Sequence, residues 1–190
     1  MMSRTIYLVR HGQTQFNVEG RAQGWSDSPL TKTGIFQALQ LKEWFAALGI
    51  TFSSAYCSDL QRAASTMQLI AEPSARLYQS AGLREVSFGS LDGQKREVLA
   101  QYDHEVRVRE FGAEPYEDAI VRALQTLYWI ASNEPDENTL AVSHSAVLVG
   151  VYSVLEKADS LPDEIEVPNG TVLKLTVKGS KLMVEDVIHI

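Results

Sequence analysis

With 190 residues, 45% of them hydrophobic and 22% charged, the chain is long enough for one domain with a sizeable core and short for two. A net charge of −7 argues against general affinity for nucleic acid or an acidic membrane surface, and a lone cysteine excludes an internal disulfide and suits a reducing cytoplasm. No stretch approaches the roughly 18 apolar residues of a membrane span, nor does the start resemble a signal peptide, so cytoplasmic residence is expected.

Thr5 to Val9 reads as a short buried strand whose apolar run stops at Arg10, His11 and Gly12. A strand that delivers such side chains to the carboxyl edge of an α/β sheet opens onto a crevice. Arg10 offers a fork of donors suited to phosphate or carboxylate, and Gly12 permits a turn or a close backbone approach. His11 can serve there as base, metal ligand or nucleophile, although a strand ending in a solvated Arg-His pair has the same composition. Asn17 to Pro29 is polar and turn-rich, and its Trp25 is either a wall facing a ligand or a loop anchor packed on the core. Thr31 caps a helix to about Leu48, stopped by Gly49, with Ile35, Ala38, Leu41, Phe45 and Leu48 as its apolar stripe. A strand from Ser53 to Cys57 leads into a helix from Asp59 to about Ala71, with Ser58 as its cap. Arg62 lies in its first turns, where a cation opposes the helix dipole. It is either one more surface arginine or a residue kept for another purpose.

Only Ser58 to Gln61 separate Cys57 from Arg62, and none is glycine. That loop is too short for successive amides to encircle an anion, so a cysteine-based phosphatase is rejected and Cys57 is read as a buried strand end. Leu77 to Gln79 is a short strand. Glu85 then sits among apolar neighbours in a glycine-punctuated loop, a setting that raises a carboxyl pKa towards general acid work, though surface carboxylates are common. Lys95 to Gly112 is charged and helical in part, with Val98, Leu99 and Tyr102 as inward candidates; His104 lies within it. Asp118 to Ser132 is an amphipathic helix with Ile120, Ala123, Leu124, Leu127 and Ala131 on one face. Thr139 to Ser143 is a second buried strand, and it too ends at an imidazole, His144. Parallel topology would bring both strand ends to one crevice. The helix from Ser145, through Val147, Leu148, Val151 and Leu155, presents its first amides to any phosphate held there. After Pro168-Asn169-Gly170, strands Thr171 to Val177 and Leu182 to His189 form a hairpin at the sheet edge across Lys178-Gly179-Ser180, with His189 structural. Four scattered histidines without partners at ligand spacing give no metal site.

Leu8-Val9-Arg10-His11-Gly12 with Thr14 and Asn17 resembles the signature of the histidine phosphatase superfamily, the phosphoglycerate mutase-like proteins. The resemblance continues in Gly24-Trp25-Ser26-Asp27-Ser28-Pro29-Leu30-Thr31 with Gly34, and in Ser58-Asp59-Leu60-Gln61-Arg62-Ala63 with Thr66. It returns in Leu83-Arg84-Glu85-Val86-Ser87-Phe88-Gly89. It is close from Thr5 to Gly93 and looser from Asp118 to Asn169. The resemblance implies one domain over 1–190, a three-layer α/β/α sandwich around a mostly parallel sheet, with 94–116 as an insertion covering the substrate. It implies that His11 is the nucleophile, that Glu85 is the proton donor, and that Arg10, Arg62 and His144 surround the phosphate. Asn17, Gln23, Gly24 and Ser145 are the further phosphate-binding positions. No cofactor or metal is implied, and the partner is a small phosphorylated substrate. Two departures stand out. Asp92 replaces the usual glutamate before Gly93, and Ser145-Ala146 replace glycines, narrowing the space beside the phosphate. Arg107 and Arg109 either bind an acidic group of the substrate or are solvated. Being separated by Val108 and followed by no proline run, they lack the paired pattern of the mutases, which favours hydrolysis over phosphoryl exchange. Mutase activity, or phospholigand binding with little turnover, are the alternatives.

Overall fold

The computed structural model describes residues 4–156 and 167–190. Six strands form one sheet: β1 (Arg4–Arg10), β2 (Ser54–Cys57), β3 (Arg76–Gln79), β4 (Asn138–Ser143), β5 (Val172–Lys178) and β6 (Lys181–Ile188), in the order β3-β2-β4-β1-β5-β6. The pairs β3/β2, β2/β4 and β4/β1 are parallel, and the β5–β6 hairpin closes the other edge antiparallel, as the sequence suggested.

The central strand β1 is apolar on both faces because both are covered. Ile6 and Leu8 pack with helices α6 (Tyr116–Asn133) and α7 (Ser145–Glu156), while Tyr7 and Val9 pack with α2 (Lys32–Ala47) and α3 (Gln61–Ile70). The result is a three-layer α/β/α sandwich. Ala38, Leu41 and Phe45 of α2 are buried as expected, but Ile35 and Leu48, at the two ends of the proposed stripe, are exposed. Gly34 is buried in their place. A Cβ on Gly34 would stand 2.0 Å from the Gln13 carbonyl oxygen, and one on Gly12 would stand 2.4 Å from that of Gly34. The start of α2 therefore lies backbone to backbone against the loop that carries His11. Among the described residues, no helix is long and apolar enough to cross a membrane.

The described residues also include three short α-helices, α1 (Gln15–Val18), α4 (Arg96–Leu99) and α5 (His104–Phe111), and two 3-10 turns, Ala81–Leu83 and Gly89–Leu91. Thr14 and Asn17 close α1 by a reciprocal capping box. Asp103 caps α5 through the Val106 N–H at 2.8 Å, and Gly112 ends it at φ +68°. Leu99, with Val98 and Tyr102 beside it, joins Ala22 and Leu91 in a small separate core, so the segment after Gly93 lies over the loop from Arg21 to Gly24. The Ala22 N–H donates to the Gln94 carbonyl and the Arg96 N–H to that of Gly20.

Candidate active site

The parallel register of β1 and β4 pairs Arg10 with Ser143, which puts the next residue of each strand, His11 and His144, side by side. The His11 N–H donates to the Ser143 carbonyl at 3.0 Å, and the two imidazole centroids are 5.2 Å apart. His11 is 3% exposed and His144 fully buried. His11 Nδ1 lies 2.8 Å from the Gly12 carbonyl, which can only accept, so Nδ1 carries the proton and Nε2 the lone pair.

Arg62 reaches the same place from α3. Its Nε donates to His144 Nδ1 at 3.2 Å, fixing the opposite tautomer there, with the proton on Nε2. The rest of the fork donates to the carbonyls of Ser26 and Gly24 and to Asp27 Oδ1, so four of its five N–H groups are engaged. Asp27 also accepts from the backbone N–H groups of Gln61 and Arg62. This corrects the expected cap: Leu60, not Ser58, occupies the cap position of α3, and a carboxylate from a distant loop supplies the missing acceptor. It also answers the dipole objection to Arg62, since that anion sits at the same helix end.

Arg10, His11, Asn17, Gln23, Gly24, Arg62, Glu85 and Ser145 all line one cavity of about 480 Å³. His144 alone of the expected set is not on its wall; it stands against His11 and Arg62, which are. Two buried side-chain atoms have no hydrogen-bond partner among the described residues, Arg10 Nε and His144 Nε2. Both are donors in one cluster, of the kind a tetrahedral oxyanion can satisfy. Asn17 spends Oδ1 on the Thr14 N–H and on Asn169 Nδ2, which also donates to the His11 carbonyl at 2.9 Å. Arg10 donates to the Val167 carbonyl. The segment before β5 thus braces Arg10, His11 and Asn17, a role its sequence gave no sign of.

Burial, then the Arg62 and Arg10 cations, hold the His11 pKa well below 6.5; burial, Arg62 and His11 do the same to His144. Burial brings Arg10 down to about 10, with Glu85 opposing and Arg96 and Arg62 adding, so it remains a cation at neutral pH. Glu85 is raised by burial against the pull of Arg62 and Arg10. Its Oε1 accepts from the Val86 N–H at 3.0 Å and its Oε2 from the Ala146 N–H at 3.4 Å, so one of the first amides of α7 faces this carboxyl group. Cys57 is buried with its thiol pushed up to about 12, unsuited to attack.

Stability should carry the mark of the two imidazoles. An unfolded chain takes up protons at both below about pH 6.5 while the folded chain does not, so stability is lost as pH falls from there. Glu85 acts with the opposite sign, because its folded form holds its proton to higher pH. His144→Asn keeps an acceptor for Arg62 Nε and removes one titrating ring. Urea unfolding in phosphate-free buffer at pH 7 and 5 should show a smaller acid loss in the variant than in the parent chain. Equal losses would show that His144 titrates normally.

Trp25 is an anchor, but not one packed on the core: it is 43% exposed and off the cavity wall. Its indole N–H donates to the Glu85 carbonyl at 2.8 Å and the Arg84 guanidinium lies 4.8 Å over its ring. Asp92, in place of the usual glutamate, accepts from the Trp25 and Phe88 N–H groups and ties this loop to the Glu85 segment. Arg107 lines the cavity, whereas Arg109 is exposed and paired with Glu110 at 3.0 Å. His104 accepts from the Tyr116 N–H, and His189 lies 3.1 Å from the Thr171 hydroxyl, so neither belongs to the site. Sequence reasoning missed Arg21, Arg96 and Tyr116 on the wall. The antiparallel bridge between Arg21 and Lys95, which brings the first two together, is a long-range pairing without a local signature.

A family model described as histidine phosphatase superfamily (branch 1) matches residues 6–188. A 2,3-bisphosphoglycerate-dependent phosphoglycerate mutase of a Bradyrhizobium strain is 32% identical over 174 residues, 83% of this chain and 83% of that one. Among solved structures, Bacillus stearothermophilus YhfR is 28% identical with a TM-score of 0.85 over 95% of both chains. The phosphoglycerate mutase from Bacillus anthracis is 27% identical with a TM-score of 0.79, over 96% of this chain and 92% of its own. Those matches run through both histidine-tipped strands and the helices that flank them, and the chain belongs to the histidine phosphatase superfamily, an enzyme family acting on phosphoryl groups.

Proposed function

We propose that the chain is a phosphomonoesterase for small phosphorylated metabolites that carry a second anionic group. The observation that carries the phosphate site is the pair of orphaned buried donors, Arg10 Nε and His144 Nε2, beside an imidazole whose Nε2 is free to attack. His11 Nε2 bonds to phosphorus as the ester P–O bond breaks, and Glu85 gives its proton to the departing alkoxide. The Glu85 carboxylate then takes a proton from water, whose oxygen attacks phosphorus and releases phosphate and free His11. Arg10, Arg62 and His144 neutralise the equatorial oxygens, so the reaction needs alignment and charge rather than further covalent chemistry.

A second anion would meet further cations of the same cavity. Arg21, Arg96 and Arg107 line the cavity together with Arg10 and Arg62, and Glu85 is the one carboxylate lining it among the described residues. Arg21 is paired with Glu19, whereas Arg96 has no carboxylate partner among the described residues. The segment 94–116 supplies Arg96, Leu99, Ala100, Arg107 and Tyr116, which supports its reading as the cover over the substrate. Exchange of a phosphoryl group between positions of a sugar acid is the second reading, favoured by the mutase name of the curated relatives. Arg109 turned to solvent speaks against it, since a lone Arg107 remains where the mutases carry an adjacent pair.

Phosphate release should be measured on alkyl phosphates with and without a carboxylate, together with sugar phosphates and nucleotides. Arg96→Gln should raise KM for the carboxylate-bearing ester about tenfold and leave the plain ester within about twofold, in line with one charge-assisted contact. Movement of label between positions of a phosphoglycerate without phosphate release would overturn hydrolysis. Equal effects of Arg96→Gln on both esters would overturn the second-anion subsite.

A further inference from the structure

Arg122 lies on α6, off the wall of the catalytic cavity, and every N–H of its guanidinium is committed. Nε and one NH2 proton grip the two oxygens of Glu114 at 2.7 and 2.8 Å. The other NH2 proton goes to the Glu85 carbonyl at 2.8 Å, and NH1 donates to the carbonyls of Arg84 at 2.7 Å and Gly82 at 3.0 Å. Glu114 in turn accepts from the Ser87 N–H through its carboxylate, and its own N–H donates to the Ser87 carbonyl. The carbonyls on either side of Glu85 are thus tied, through one guanidinium and its carboxylate, to a helix packed on the sheet. The turn lies close against α6, where a Cβ on Gly82 would stand 2.0 Å from the Thr126 hydroxyl.

We infer that Arg122 is a positioning residue: it holds the backbone of the 82–87 loop so that the Glu85 carboxyl group meets the leaving-group oxygen. This rests on the reading of Glu85 as proton donor. A flexible loop would let that carboxyl group swing towards water, and a general acid contributes about 10²–10⁴ in rate only when held within hydrogen-bond reach. Fork geometry is what the position requires, since a lysine ammonium cannot span three carbonyls and a carboxylate at once.

The test compares an alkyl with a nitrophenyl phosphate in Arg122→Lys, Glu114→Gln, Glu85→Gln and the double variant Arg122→Lys/Glu85→Gln, each checked for folding by its thermal melt. An aryloxide leaves with little help from an acid. Arg122→Lys should therefore cost about tenfold in kcat on the alkyl ester and less than about twofold on the aryl ester, and Glu114→Gln should follow it with a smaller loss. In the Glu85→Gln background the further loss from Arg122→Lys should vanish, because both changes remove one function. Equal loss on both esters, or additive losses in the double variant, would show that Arg122 only supports the fold and would overturn the inference. If Glu85→Gln itself fails to discriminate between the esters, the proton-donor reading falls instead, so the two failures are told apart.

Discussion

His11→Ala should abolish phosphate release from an aryl phosphate, with a fall of at least about a thousandfold in kcat. The aryl ester is the right probe because it needs little acid assistance, so the whole loss falls on the attacking atom. No other described group can take over. His144 presents a protonated Nε2 and spends Nδ1 on Arg62, and the Cys57 thiol is buried with its pKa pushed to about 12. A thousandfold is about 4 kcal/mol of transition-state stabilisation, and removal of a nucleophile commonly costs more. The variant should still bind inorganic phosphate, because Arg10, Arg62 and His144 remain. Rapid-quench labelling with phosphorus-32 substrate should find acid-labile phosphate on the parent chain and none on the variant. Turnover within about tenfold of the parent would remove the nucleophile assignment, and a parent with neither label nor continued turnover would point to a regulatory binder.

Arg62→Lys should produce the second largest loss, about a hundredfold or more in kcat/KM, and it should differ in kind. Here phosphate affinity must fall along with the rate, because the ammonium keeps the charge but not the fork. The change also strikes the fold. The Gly24 and Ser26 carbonyls and His144 Nδ1 lose a donor together, and each buried acceptor left unpaired costs about 1–3 kcal/mol. A lower thermal midpoint should therefore accompany weaker inhibition by inorganic phosphate. Unchanged phosphate inhibition in a folded Arg62→Lys chain would mean that this residue braces the loop and does not touch the anion. His11→Ala and Arg62→Lys thus separate chemistry from binding at one site.

Much of this was legible in the chain itself. Strands β1 and β4 announced themselves as apolar runs stopped by histidine, and α6 by apolar residues at spacings of three and four. The glycine pair showed only half its meaning. Gly12 read as a place for a turn or close approach, and the structure makes it the latter, against Gly34. The segment after Gly93 was nearly silent because α5 buries none of its residues completely. A helix without a buried stripe has no periodicity to read, so nothing local said that Arg107 faces the cavity while Arg109 faces water. Asp103 and Gly112, which cap that helix, were not read as its ends.

By itself the sequence determined the layers and the two histidine-tipped strands, since burial along a strand or helix leaves a period that can be counted. The residues expected around a phosphate were carried by the family resemblance, not by any period. What tertiary structure alone decided is which polar groups meet. Asp27 caps a helix that begins 34 residues later, Asn169 supports the His11 backbone from 158 residues away, and Arg122 braces the Glu85 loop from 37. Hydrogen bonds and ion pairs are short-ranged and directional, so they depend on where folding brings two residues and not on how far apart they stand in the chain. A hydrophobic pattern places elements in layers, and only their packing fixes which donor faces which acceptor.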